Sequence, residues 1–172
     1  MKISTRGRYA LRMMLDMALA DSGKPVRVKE IAERQEISEK YMEQIMSILN
    51  KAGFVRSVRG PQGGYFLTRK PEEYTVGMIL RLTEGSLSPV DCLDEGAENC
   101  PRQESCVTFI LWKQLNDAIR GVVDKVTLQD LVDWSQIRGR TTVYDIRGKK
   151  KEPHNAGREI RTSENHSDDL EQ

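Results

Sequence analysis

Three features of the sequence predict a mainly α fold carrying one small β-hairpin. Apolar residues recur at three- and four-residue spacing in six separate stretches. Between the third and fourth of these, two short alternating runs flank the turn sequence Arg59-Gly60-Pro61-Gln62-Gly63-Gly64. The chain has 172 residues, enough for one globular domain or a small domain with an appendage, folded without covalent staples.

The elements follow in chain order. Ser4 or Thr5 caps a first helix with Ala10, Leu11, Met14, Leu15, Ala18 and Leu19 on one face, ending near Asp21. Ser22-Gly23-Lys24-Pro25 breaks it, and Val28, Ile31 and Ala32 open a short second helix. Gln35-Glu36-Ile37 makes a tight connection to Ser38, which caps a third helix from about Glu39 to Ala52 with Tyr41, Ile45, Ile48 and Leu49 inward. Gly53 sits where a left-handed helix end is wanted. Phe54–Val58 then alternates as a strand, and Tyr65–Leu67 returns after the turn. Pro71 ends this region, Thr75 caps a helix carrying Val76, Ile79, Leu80 and Leu82, and Gly85 closes it. From about Cys106 a longer helix presents Val107, Ile110, Leu111, Leu115, Ala118, Ile119 and Val122, a stripe too broad for a small domain to bury alone. Thr127 caps a last short helix through Trp134.

Two short helices joined by a tight turn form a helix-turn-helix, and a hairpin directly after the second is a wing. The fold class is therefore a winged helix-turn-helix domain followed by a long dimerisation helix. Four segments are expected: 1–84 as the winged domain, 85–106 as a cysteine-containing loop, 106–135 as the dimerisation helix with its short successor, and 136–172 as a tail disordered by composition.

The formal charge of +1 conceals an asymmetry. Residues 1–70 hold 14 Lys/Arg against 7 Asp/Glu, residues 71–135 hold 5 against 12, and residues 136–172 hold 8 against 7. A basic first part joined to an acidic middle suits a chain of which one face meets a polyanion. No cleavable leader precedes Met1 and no apolar run approaches the ~20 residues of a bilayer span, so a cytoplasmic location with no membrane association is expected.

A recognition helix presents its N-terminal residues to base edges in the major groove. Ser38, Lys40, Tyr41, Glu43 and Gln44 stand there. Gln can bond adenine bidentately, Glu can accept from the cytosine amino group, and Ser, Lys or Tyr can hold phosphate. Arg59 rides on the wing turn, where Gly60 and Gly63 remove side-chain bulk and permit approach to a sugar-phosphate wall or a narrow minor groove.

Seven residues separate Cys92 from Cys100 and five separate Cys100 from Cys106. Three soft thiolates on one short, acidic, turn-rich loop suit an iron-sulfur cluster or zinc and are able to converge on a single centre. Spacing alone leaves two other readings open: three free thiols on a flexible loop, or a switch in which two of them oxidise to a disulfide. The absence of a CxxC pair argues against a zinc ribbon.

The opening STRGRYALRMMLDMAL, the stretch IAERQEISEKYMEQIMSILNKAGFVRSVRGPQGGYFL and the three cysteines before LWKQL closely resemble the IscR-type winged-helix regulators, over about Met1 to Trp134. The resemblance implies a homodimer that binds pseudo-palindromic promoter DNA and senses cluster status, oxygen, nitric oxide or iron. It further implies Cys92, Cys100 and Cys106 as ligands of an iron-sulfur cluster, 2Fe-2S in the nearest relatives and 4Fe-4S in some cousins. Tyr41, Glu43, Gln44 and Arg59 would be among the DNA-facing groups. One departure is plain: IscR proteins usually offer a His three residues after the third cysteine, and here that position is Phe109. Cousins that sense nitric oxide use a carboxylate near the amino terminus, where this chain has Arg8. A fourth ligand would then come from Asp91, Asp94, Glu95, Glu98 or Glu104 in the loop, from His154 or His166 in the tail, or from a small molecule, a loop carboxylate being favoured because a disordered tail must lose entropy to reach the site.

The expected function is that of a DNA-binding transcriptional regulator, a repressor of iron-sulfur cluster biogenesis genes, with DNA affinity controlled by the cluster. One rival is a cluster-free thiol-redox regulator. Another, of a different class, is an iron-sulfur carrier that uses the winged helix for protein contacts. No phosphate loop or nucleophile motif points to an enzyme.

Overall fold

The structure is a computed structural model that describes residues 2–20, 23–97 and 100–140. Six helices and one hairpin follow in order: α1 Thr5–Leu19, α2 Val28–Gln35, α3 Glu39–Lys51, β1 Val55–Val58, β2 Gly64–Leu67, α4 Val76–Glu84, α5 Val107–Val123 and α6 Leu128–Arg140. Met1–Gln136 forms one compact unit. None of the described helices is long and apolar enough to cross a membrane.

Local chemistry sets the helix starts. Ser4, Ser38 and Thr75 each accept a backbone N–H of the first turn, those of Gly7, Tyr41 and Met78. Thr127 does the same for Asp130, whose carboxylate accepts in return from the Thr127 N–H at 2.8 Å and hydroxyl at 2.7 Å. Glu36 ends α2 at φ 55°, ψ 44°, so the turn before Ser38 needs only two residues.

The core lies between α1, α2, α3 and α4, and it is richer in methionine than the sequence reading supposed. Met13, Met14, Met42 and Met46 are fully buried with Ile31, Ile45 and Leu49. Leu19, placed on the inner face from spacing, is instead 51% exposed, and Tyr41 and Ile48 are half-buried. The buried arc of each helix is rotated toward its methionines, whose unbranched side chains fill the irregular gaps where the helices cross. Among the described residues Asp16 is the one buried charge; it accepts from Arg34 Nε at 3.0 Å and from Gln35 Nε2 at 2.9 Å, and Arg12 in turn holds Gln35 Oε1 at 2.8 Å. This network keeps α2 at a fixed angle to α1, because a charge so enclosed is tolerated only while its partners remain in place.

β1 and β2 pair antiparallel from Val55 opposite Leu67 to Val58 opposite Gly64. Val26 adds an isolated bridge to Tyr65, through N–H···O contacts of 2.9 and 2.8 Å. A Cβ on Gly64 would stand 2.6 Å from the Val26 carbonyl oxygen, so only glycine lets these backbones meet.

Two boundaries differ from expectation. α1 ends at Leu19 with Ala20 as its C-cap, because the chain turns before the break sequence is reached. α6 continues past Trp134 to Arg140, into the segment composition had assigned to the tail. The rest of that tail, with His154 and His166, lies outside the described residues, as do Glu98, Asp21 and Ser22.

α5 joins the winged part through α4. Arg81 on α4 grips Asp124, the C-cap of α5, with contacts of 2.5 and 2.9 Å. The hydrogen bond from Arg81, then its charge and that of Arg120, hold the Asp124 carboxyl below its ordinary pKa. A depressed folded pKa means that the stability this pair contributes is fully present above the unfolded carboxylate value, near ~4, and is lost as pH falls through the lower folded value. Asp124→Asn is therefore expected to lower the thermal midpoint at neutral pH, and the gap from the parent protein should close as both are titrated into that acid window. A gap that stays constant down to the acid end would show that the pair adds nothing.

On its other side α5 is bare. Val107 is 82% exposed, Ile110 62%, Leu111 55%, Leu115 42% and Val122 61%, as the sequence stripe foresaw, whereas Ile119 is half-buried.

Candidate nucleic-acid interface and cysteine segment

The N-terminal turns of α3 stand clear of the core. Ser38, Lys40, Glu43 and Gln44 are exposed, with Ser38 held as the cap. Tyr41 is half-buried, packed edge-on against Tyr9 with centroids 5.9 Å apart, and the Arg12 guanidinium covers Tyr9 at 5.4 Å. The Tyr41 ring is thus a fixed point beside a polar face whose other members are free to adapt.

Arg59 and Gly60 are exposed at the tip of the wing, and Gly63 is half-buried. The turn itself requires both glycines. Gly60 has φ +115°, and a Cβ on Gly63 would lie 2.8 Å from the Gly60 carbonyl oxygen and 3.1 Å from the Arg59 carbonyl carbon. Approach to a partner is a consequence of that turn rather than the reason for these residues.

Arg27 was missed by the sequence reading. It precedes α2, yet its NH2 donates to the Pro61 carbonyl at 2.6 Å, bracing the wing tip from the helix-turn-helix. Arg56 lies over Phe66 at 4.7 Å on the exposed side of the hairpin. Only the excess of basic residues before position 70 hinted at either; a contact spanning 34 positions leaves no local pattern.

The three thiols are free. Cys92 is exposed in the 3-10 turn Asp91–Leu93, Cys100 is partly exposed ahead of the 3-10 turn Gln103–Ser105, and Cys106 is the N-cap of α5. Among the described residues no group of three His, Cys, Asp or Glu side chains is gathered closely enough to hold a metal ion, so the convergence that the spacing permits is not formed in this conformation. The donor set is nonetheless chemically apt, being three soft sulfurs outside any disulfide on one segment. At Cys106 the Thr108 hydroxyl at 3.3 Å, and then the Phe109 and Thr108 amides at the helix start, lower the thiol pKa below its usual value. Phe109 offers no ligating atom, Asp94 is bonded to Ser86, and Glu95 is paired with Arg120 at 3.1 Å.

Comparison with known proteins agrees with this architecture. The regulator IscR of Pectobacterium atrosepticum is 40% identical over 137 residues, spanning 80% of this chain and 82% of its own. The solved structure of T. potens IscR superposes with a TM-score of 0.65 at 40% identity, covering 80% of this chain and 90% of the other. That of CymR, described as the global cysteine regulator of B. subtilis, gives 0.65 at 40% identity, covering 78% and 98%. The profile of the Rrf2 family, described as iron-dependent transcriptional regulators, matches residues 3–134. With its winged helix-turn-helix and that profile matched over residues 3–134, the chain belongs to the Rrf2 family of transcriptional regulators.

Proposed function

We propose that the chain is a homodimeric repressor that reads pseudo-palindromic double-stranded promoter DNA and governs genes of iron-sulfur cluster biogenesis. The observation that carries the DNA reading is the pairing of an exposed polar start on α3 with a braced wing. Ser38, Lys40 and Tyr41 position the protein on phosphate, Glu43 and Gln44 read base edges, and Arg59 on the Gly60–Gly63 turn enters the neighbouring minor groove. The bare stripe of α5 supplies the homodimer contact.

Cys92, Cys100 and Cys106 would hold the iron-sulfur cluster, 2Fe-2S by preference. A bound cluster would supply a centre responsive to oxidants, iron and sulfide. The chain's own part is to present thiolates on a segment anchored at α5: Cys106 is kept acidic at the helix start, while the 3-10 turn carrying Cys92 packs against α5. A second reading, a cluster-free thiol-redox regulator, is favoured by the ungathered thiols and by the low pKa of Cys106.

Selection from randomised duplex DNA, followed by titration at several salt concentrations, tests the first part. Affinity is expected to fall steeply with salt. Arg59→Ala should weaken binding by roughly tenfold on every duplex, and Gln44→Ala should relax preference at one base position in each half-site. Salt-independent binding would exclude this reading and favour a protein-contact role for the wing. Anaerobic incubation with iron and sulfide decides between the thiol readings: visible absorption bands lost in Cys92→Ala support the cluster, and a colourless protein supports the thiol switch.

A further inference from the structure

Beside the cysteine segment, between the end of α4, residues 85–95 and α5, lies a cavity of about 260 Å³. Its wall includes Arg81, Ser86, Asp94, Glu95, Asn116 and Arg120. Asn116 is the buried residue of α5, 7% exposed, facing inward while the apolar stripe faces out. Its side-chain amide makes no hydrogen bond to any described residue, and since no fully enclosed polar atom lacks a partner, what exposure it keeps is at the cavity wall. With no protein partner and some exposure at that wall, the amide is free to bond whatever occupies the cavity, water or ligand.

The charges around it are balanced in sign. Arg81 is committed to Asp124. Arg120 reaches Glu95 at 3.1 Å and Asp124 at 3.9 Å, and Glu95 itself is 79% exposed, so this pair is open to exchange. A simple anion would meet the carboxylates of Asp94 and Glu95, and a simple cation would meet the two guanidinium groups. A small molecule with both charges satisfies the wall: its carboxylate on Arg120, its ammonium on Glu95 or Asp94, and its remaining polar atoms on Asn116, which both donates and accepts. The volume is under the ~300–1,000 Å³ of pockets for drug-sized ligands, which restricts the occupant to a metabolite of few atoms.

We propose that this cavity is an effector site for a free α-amino acid. Its walls come from α4, in the winged half, and from α5, on which the other half of a dimer would seat, so occupancy is placed to alter the relation between the two. The inference concerns the cluster-free chain, because Asp94 and Glu95 line this wall and are also among the carboxylates able to act as a fourth ligand.

Thermal unfolding of the full-length protein in the presence of each common α-amino acid tests it, with acetate and ethanolamine as single-charge probes. At least one amino acid should raise the midpoint with a saturable dose response. Asn116→Leu should abolish that response, and Glu95→Gln, a change at an exposed position, should weaken it by about tenfold. Loss of the response in Glu95→Gln alone carries the proposal if Asn116→Leu fails to fold. Absence of a shift with every amino acid, an equal shift with acetate or ethanolamine, or an undiminished response in Glu95→Gln would each overturn it. DNA affinity of the ligand-free protein is measured alongside, so that failure here is distinguished from failure of the DNA reading.

Discussion

Replacing Leu111 and Leu115 together by Glu is expected to leave a folded, monomeric chain with two to four orders of magnitude less affinity for a two-half-site DNA. Both side chains are largely in water in the single chain, 55% and 42% exposed, so their replacement removes little from its core. They are flanked by Ile110 and Val122, 62% and 61% exposed, on a continuous apolar face of the kind that soluble monomers rarely leave uncovered. In the proposed homodimer four like charges would face each other across a two-fold seam and oppose association strongly. Once the proposed dimer is separated, each winged domain would bind a half-site alone, and the gain from linked binding, typically ~10²–10⁴, would be forfeited. Sedimentation would show the change of mass, circular dichroism the retained helices, and titration the weakened binding. A double variant that remains dimeric would move the interface elsewhere; one that becomes monomeric yet binds a full site as before would remove the two-half-site reading.

The parts of this molecule visible in sequence are those with local causes. Ser4, Ser38, Thr75 and Thr127 marked helix starts because a hydroxyl one residue ahead of a helix has a single good use. The α5 stripe could be read as unburied because its width exceeds what one small domain can cover. Gly60 and Gly63 were noticed for a different reason from the one that holds them, the turn's own geometry. What stayed hidden are contacts between distant elements: Asp16 with Arg34, Arg27 with Pro61, Arg81 with Asp124. Each looks like an ordinary solvated charge until the fold brings its partner near. Asn116 is the extreme case, a polar residue within an apolar helix whose burial no spacing rule would single out. The cysteine segment was legible in chemistry and not in geometry, since thiol spacing says which sulfurs are able to meet and not whether they have met.

Tyr74 illustrates how such hidden contacts govern stability. It is the largest fully buried side chain, located just before α4, where Leu128 N–H bonds its carbonyl at 2.8 Å. Its hydroxyl donates to the Phe54 carbonyl at 2.8 Å and accepts from the amides of Thr68 and Arg69 at 3.0 and 2.9 Å. One oxygen therefore joins the start of the hairpin, its end and the connection to α4, while the ring packs on Phe54 with centroids 5.6 Å apart. Tyr74→Phe preserves the packing and removes only the oxygen. The Phe54 carbonyl keeps the Thr68 amide at 3.2 Å and the Thr68 hydroxyl, so the group left unpaired is chiefly the Arg69 amide. At ~1–3 kcal/mol for a polar group left unsatisfied, the expected loss is about 2 kcal/mol, equivalent to a fall of roughly 7 °C in unfolding midpoint. Because the hairpin is anchored there, amide exchange in residues 54–68 should accelerate more than in α1 or α3. A variant with an unchanged midpoint would mean that water replaces the hydroxyl without loss. Uniform acceleration of exchange throughout the chain would mean that Tyr74 supports the core as a whole and not the hairpin in particular.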